Sequence, residues 1–186
     1  DHITFESQAH HIRFEAIDTE RVGMSGHSFG GYISLLMAYE EPRIKAIVPM
    51  APSTAVLKIL GHEYGKLPVP QMMMTGGMDA TLDTVKEMYE PWTHMPAPKW
   101  YLELSAAGHF TFSDICRLPL DALAALIEVD VGNALDDGCA EWNTPLEEAH
   151  RLIRKFGIGF LNYYLRDSPG SAVWFYDQTS AEGEED

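Results

Sequence analysis

Gly23-Met24-Ser25-Gly26-His27-Ser28-Phe29-Gly30-Gly31 is the stretch that decides how the rest of the sequence is interpreted. The residues leading into it, 21–25, predict a short buried strand. The residues after it, 32–41, predict a helix that Pro42 ends. Glycines two positions on either side of Ser28 predict a sharp strand-to-helix turn, because small residues let the two elements approach closely. Such a turn strains the serine backbone and exposes its hydroxyl.

Further strands and helices alternate along the chain. Apolar runs predict strands at 44–50, 71–75 and 100–104. A helix is expected over 81–90. A short connection is predicted over 51–70, and an irregular or weakly helical segment over 110–144. Thr144, Pro145 and Glu147 predict a capping box with proline at the first helical position. The alternation predicts an α/β fold with a mostly parallel sheet flanked by helices.

Composition limits what the protein can be. The chain has 186 residues with 13 Lys and Arg against 28 Asp and Glu, a net charge of −15 at pH 7. This length predicts one domain over residues 1–186, with a mobile acidic tail at 180–186. The negative charge argues against nucleic acid as a partner, because binding it requires clustered Lys and Arg. No apolar run is long enough to predict a membrane span.

Three polar residues follow predicted strands at the point where each strand ends: Ser28, Asp79 and His109. The carboxyl ends of parallel strands meet at one edge of a sheet, so these side chains are expected to converge there. A serine hydroxyl needs a base to become nucleophilic, and the base needs a carboxylate to orient it. We therefore predict a catalytic triad of these residues, with Phe29 N–H donating to a developing oxyanion. Asp83 and Asp114 are weaker alternatives for the acid.

The residues that carry chemistry also resemble a known family. Residues 18–31, the stretch from Gly108 to Cys116, and Asp137-Gly138-Cys139 resemble the dienelactone-hydrolase-like branch of the α/β-hydrolases. This branch includes secreted esterases, relatives of platelet-activating-factor acetylhydrolase and bacterial polyester hydrolases. The resemblance covers roughly residues 15–167. It implies an α/β-hydrolase fold and a serine carboxylic-ester hydrolase that uses the same triad and Phe29, acts on a small-molecule ester, and needs no metal or organic cofactor.

The two cysteines can be interpreted in two ways. From spacing alone, Cys116 and Cys139 are either two buried thiols or one disulfide. The resemblance favours the disulfide, and with it a secreted or periplasmic location. Phe29, Tyr32, Met78 and Phe110 flank the proposed triad, and could line a substrate pocket or simply belong to the packing.

Some residues depart from the patterns of related families. Dienelactone hydrolases use a cysteine nucleophile where this chain has Ser28, and polyester hydrolases have tryptophan where this chain has Ser53. These departures weigh against lactones and aromatic polymers as substrates. The turn followed by Tyr32 also resembles prolyl-oligopeptidase-like peptidases, which gives an alternative activity. A hydrolase-fold interaction protein without catalysis is the other alternative.

The largest departure from the family pattern is at the N-terminal end of the chain. Only 25 residues precede Gly26, whereas the family fold has several strands before this turn and draws a second oxyanion donor from a loop there. The sequence therefore predicts the C-terminal part of an α/β-hydrolase domain. Its expected partners are the missing N-terminal part or a second copy of the chain.

Overall fold

The computed structural model describes residues 17–118 and 136–176, and the predicted acidic tail at 180–186 lies outside them. Four parallel strands form one sheet in chain order. They are β1 (Val22–His27), β2 (Ile44–Met50), β3 (Gln71–Gly76) and β4 (Lys99–Leu104). The predicted α/β fold with a parallel sheet is thereby confirmed.

Helices and helical turns connect and cover these strands. The α-helices are α1 (Phe29–Glu40), α2 (Ala55–Ile59), α3 (Glu90–His94), α4 (Asp136–Cys139), α5 (Leu146–Arg166) and α6 (Val173–Tyr176). A π-helical turn at Val85–Tyr89 leads into α3. Short 3₁₀ turns lie at Tyr64–Lys66, His109–Phe112, Ile115–Arg117 and Pro169–Ala172. None of the helices within the described ranges has the length and apolar content needed to cross a membrane.

The core lies around β2 and β3. Every residue of β3 is buried, including the run Met72, Met73 and Met74, which makes it a continuous apolar strand. β1 is only half-buried, so the prediction of a buried strand was wrong. The reason is its position at the edge of the described sheet, where it pairs with β2 alone.

Helix α5 packs across the sheet with one apolar stripe. Ala149, Phe156 and Phe160 on this stripe are buried. The capping box predicted at its start is wrong, because the helix begins at Leu146 and Pro145 occupies the N-cap with extended backbone. Thr144 lies one residue outside, where its N–H donates to the carbonyl of Ala106 at 2.8 Å.

The segment after β3 also differs from its prediction. A helix was expected over 81–90, but the N–H groups of Thr81 and Leu82 donate to the Asp79 carboxylate and form a turn first. Pro91 has no N–H to offer the carbonyl of Glu87, and the Thr54 hydroxyl donates to that carbonyl instead. This missing helical bond accounts for the π-helical turn before α3.

The connection after β2 contains α2, which the sequence did not reveal. The carboxylate of Glu87 accepts the N–H groups of Thr54 and Ala55 at 2.9 and 3.0 Å and so caps the start of α2. A glutamate more than 30 positions away gives no local capping signal.

Candidate active site

Ser28 lies in the tight turn between β1 and α1. Its backbone has φ 55° and ψ −115°, a strained conformation for a residue with a side chain. A Cβ built on Gly26 would lie 2.5 Å from the carbonyl carbon of Gly30, so only glycine fits there. A Cβ on Gly30 would meet nothing within 4 Å, whereas one on Gly31 would lie 3.0 Å from two backbone oxygens. The second close approach expected at Gly30 therefore falls on Gly31.

His109 stands between the serine and an aspartate. Its Nε2 lies 2.9 Å from Ser28 Oγ, and its Nδ1 lies 2.8 Å from Asp79 Oδ2. The side chains of His109 and Asp79 are 3% and 0% exposed. A carboxylate only accepts, so Nδ1–H donates to Asp79, which leaves Nε2 free to accept the proton of Ser28. The structure thus brings the three predicted residues into one hydrogen-bonded chain.

The two alternative acids are engaged elsewhere. Asp83 forms an exposed ion pair of 2.9 Å with Lys86, and this ion pair lowers the pKa of the Asp83 carboxyl. Asp114 pairs with Arg117 at 3.1 Å. Asp79 is the carboxylate that accepts a hydrogen bond from the imidazole of His109.

A second carboxylate, Asp137, joins the aspartate loop to the histidine loop. It accepts the backbone N–H of His109 at 2.8 Å, the N–H of Ala80 at 3.1 Å and the hydroxyl of Thr81 at 2.6 Å. Burial acts to raise the pKa of Asp137, but these three hydrogen bonds outweigh it and the pKa is lowered. Sequence reasoning gave Asp137 no role; the one signal was the Asp137-Gly138-Cys139 motif.

Glycines and a disulfide hold Asp137 in place. Gly138 has φ +117°, and a Cβ there would lie 2.5 Å from the backbone nitrogen of Thr111. A Cβ on Gly108 would collide with the backbone of Asp137 and Gly138. Cys116 and Cys139 form a disulfide, which confirms the predicted bridge. The Asp137–Cys139 turn is therefore pressed against the loop that carries His109.

His27, which the sequence analysis did not single out, packs against the base. The centroids of its ring and that of His109 are 4.7 Å apart, and its Nε2 is buried without a hydrogen-bond partner among the described residues. Burial, reinforced by repulsion from His109, lowers the pKa of His27 to about 4. His27 therefore stays uncharged over the neutral pH range.

The four proposed pocket residues have different environments. Phe29 is 71% exposed beside the serine, and Met78 is also exposed. Tyr32 is buried beneath Phe29, with ring centroids 5.5 Å apart. Phe110 presents its ring to His109 at 5.4 Å in an edge-to-face arrangement. Across residues 17–118 and 136–176, no group of three His, Cys, Asp or Glu side chains is arranged to hold a metal ion.

A parallel sheet with a strained serine turn, and with an aspartate and a histidine at the carboxyl ends of later strands, defines the α/β-hydrolase class. The family model described as "PETase: PET hydrolase-like" matches residues 3–118. The chain therefore belongs to the PET hydrolase-like family, which is compatible with the predicted dienelactone-hydrolase-like branch.

Individual relatives are similar over half of the chain. Cutinase est1 and cutinase est2 of Thermobifida alba are 33% and 30% identical over 97 and 96 residues. Cutinase 1 of Thermobifida cellulosilytica is 29% identical over 96 residues. The matches cover 50% of this chain and 30–35% of those relatives. The chain thus spans about a third of the length of the relatives it matches.

Proposed function

We propose that this chain carries the catalytic residues of a serine carboxylic-ester hydrolase. The observation that supports this most directly is the hydrogen-bonded chain from Ser28 through His109 to Asp79, with distances of 2.9 and 2.8 Å. The similarity to cutinases supports esters as the substrate class.

In the proposed mechanism, Ser28 Oγ attacks the ester carbonyl while His109 Nε2 takes the hydroxyl proton. Asp79, which accepts from Nδ1, stabilises the imidazolium that forms. The imidazolium then gives the proton to the leaving alcohol, and an acyl-enzyme remains on Ser28. Water, deprotonated by His109, attacks the acyl-enzyme, and the carboxylic acid leaves as His109 returns the proton to Ser28 Oγ.

The oxyanion formed in each attack needs hydrogen-bond donors. Phe29 N–H is the first amide of α1, and the first four amides of a helix have no acceptor within it. It is therefore oriented toward developing negative charge at a helix N-terminus. We propose that the second donor comes from outside the described residues.

The proposed substrate is a small-molecule ester that contacts Phe29, Met78 and Phe110. Their exposed or half-exposed apolar surfaces next to the serine suit an acyl or alcohol group. Ser53 donates its hydroxyl to the Glu87 carboxylate at 3.1 Å, so this position offers a hydrogen-bonded polar group where polyester hydrolases have an aromatic ring. This difference favours small esters over aromatic polymers.

Fluorophosphonate labelling tests the proposal and separates an enzyme from a non-catalytic relative. The native protein should label at Ser28 and hydrolyse short nitrophenyl esters. Ser28→Ala should abolish labelling and lower turnover by roughly 10³-fold or more, with unfolding unchanged. Ser25→Ala, which alters an exposed serine of β1, is the matched control and should behave like the wild type. Full turnover by Ser28→Ala would refute the assignment.

We also propose that a further strand pairs with β1, supplied by upstream sequence of the same domain or by a second copy. The support is the half-buried β1, which pairs only with β2 among the described residues. Residues 1–186 alone should scatter light as oligomers or aggregates and hydrolyse esters poorly, and the native upstream sequence should restore activity. A monomeric and fully active 1–186 would contradict this proposal.

The proposed location is secreted or periplasmic, because the disulfide requires an oxidising compartment to form and persist. Mass spectrometry of the native protein after alkylation without reduction should find neither cysteine modified. Two alkylated cysteines would argue against this location.

A further inference from the structure

We infer that Asp137 is a positioning residue for the reaction: its carboxylate sets the spacing between the loops of Asp79 and His109. The inference rests on the proposed function. The carboxylate bonds the backbone of His109 on one side and the backbone and side chain of residues 80–81 on the other. It is thus a direct bridge between the two loops that carry the acid and the base.

The contacts of Asp137 with the acid loop add to the backbone bonds that hold this loop near the histidine loop. Ala80 and Thr81 follow Asp79 directly, and the N–H of Thr81 also donates to Asp79 Oδ1 at 3.0 Å. Thr81 therefore binds the triad aspartate through its backbone and Asp137 through its hydroxyl. Displacing Asp137 would release Thr81, one of the two residues whose N–H groups bind the Asp79 carboxylate.

The contact with the base acts through the backbone of His109. His109 begins a 3₁₀ turn, and its N–H donates to the Asp137 carboxylate at 2.8 Å. Because Asp137 is 9% exposed, its charge acts on His109 with little screening by water. A negative charge here favours the imidazolium formed when His109 takes the serine proton.

Several other titratable groups surround this pair. Asp79 bonds Nδ1 of His109, and the ring of His27 lies against the His109 ring. On the side of α5, His150 Nε2 lies 3.0 Å from the carbonyl of Thr111, and His150 Nδ1 lies 3.8 Å from Asp114. Among these titratable groups, Asp137 is the one that lies on neither loop and yet hydrogen-bonds both, so its variant can be distinguished from changes at these neighbours.

The test is Asp137→Asn in the complete native protein, with rates normalised to active sites titrated by fluorophosphonate. We expect kcat for a nitrophenyl ester to fall about tenfold or more with KM within about twofold, because misplacing catalytic groups affects the chemical step. The acid limb of the kcat/KM profile should move to lower pH, because loss of the carboxylate disfavours the imidazolium. Asp136→Asn, which neutralises the exposed neighbouring aspartate, is the matched control and should change neither kcat nor the pH profile.

A second variant keeps the inference testable if Asp137→Asn does not fold. Thr81→Val removes the hydroxyl bond to Asp137 but keeps the charge, so kcat should fall a few-fold while the acid limb stays in place. Wild-type kcat per titrated site in Thr81→Val, or wild-type kcat and pH profile in Asp137→Asn, would overturn the inference. A wild-type protein that neither labels at Ser28 nor hydrolyses esters would overturn the proposed function as well.

Discussion

The serine half of the candidate site and its acid and histidine half are held by different combinations of contacts. On the serine half, the backbones of Gly26 and Gly30 approach so closely that no side chain fits at Gly26. On the acid and histidine half, the carboxylates of Asp79 and Asp137 accept hydrogen bonds from several loops. Close packing dominates around the nucleophile, whereas hydrogen bonds to these carboxylates add to the close packing at Gly138 around the base and acid.

This difference determines how each half should respond to change. Backbone atoms cannot move aside without shifting β1 or α1, so the serine half should tolerate no added volume at Gly26. Hydrogen bonds can be weakened one at a time, so the acid and histidine half should lose function in steps. The Cys116–Cys139 disulfide adds a covalent tie to this second half.

The largest effect is expected from Gly26→Ala. Its Cβ would lie 2.5 Å from backbone atoms of Gly30, so the free energy of unfolding should fall by about 4 kcal/mol or more and activity should be lost. Urea denaturation and ester hydrolysis measure both. Gly30→Ala is the matched control: it meets nothing within 4 Å, and its stability should stay within about 1 kcal/mol of wild type. Equal stability of the two variants would show that backbone crowding at Gly26 does not hold the serine turn.

A smaller effect is expected from replacing both cysteines with serine. The bridge closes a loop with a sequence separation of 23, and the chain-entropy model assigns such a loop about 3 kcal/mol. The free energy of unfolding of the double variant should fall by this amount, so the variant should unfold at a lower urea concentration. Its kcat should also fall, because the Asp137–Cys139 turn loses its covalent tie. Cys116→Ser alone, with Cys139 alkylated, controls for the free thiol. A double variant as stable as the wild type would show that noncovalent packing alone holds this turn.

The smallest effect is expected from His27, where the two halves meet. Its pKa is about 4 in the folded chain and about 6.5 when unfolded, so the unfolded state takes up the proton first as pH falls. Stability should therefore decrease between pH 6.5 and pH 4, by about 2 kcal/mol after allowing for solvent screening.

Urea unfolding at pH 7 and pH 4.5 measures this loss. His27→Gln should reduce the difference between the two pH values, and His94→Gln, at an exposed histidine, should leave it as in the wild type. A His27→Gln protein with the full acid sensitivity would show that other groups cause it.

The serine half could be predicted from sequence because its determinants are neighbours in the chain. Gly26 and Ser28 lie within one turn, and steric constraints between neighbours leave a recognisable pattern. The buried strands β2 and β3 were equally visible as apolar runs. Predicting Asp79 and His109 required the added knowledge that parallel strands end at one edge of the sheet.

The remaining features depend on contacts between distant residues. Asp137 meets Ala80 across 57 positions, and Glu87 caps α2 across 32 positions. Glu87 has no local sequence signal, and the only one for Asp137 is the resemblance carried by the motif that it begins. The capping box at Thr144 shows the opposite error: the local pattern is present, but the helix begins one residue later and the N–H of Thr144 donates to the carbonyl of Ala106.

The separation of Asp137 from its partners has a consequence for the order of folding. The turn at Ser28 closes within a few residues, whereas the bonds of Asp137 to His109 and Ala80 close loops of 28 and 57 residues. Loop closure costs more entropy as the loop grows, so these bonds form after the local turn. During synthesis, the chain must also have emerged past residue 139 before the bridge to Cys116 can close. A nascent chain would therefore carry its nucleophile long before it could hold the base in place.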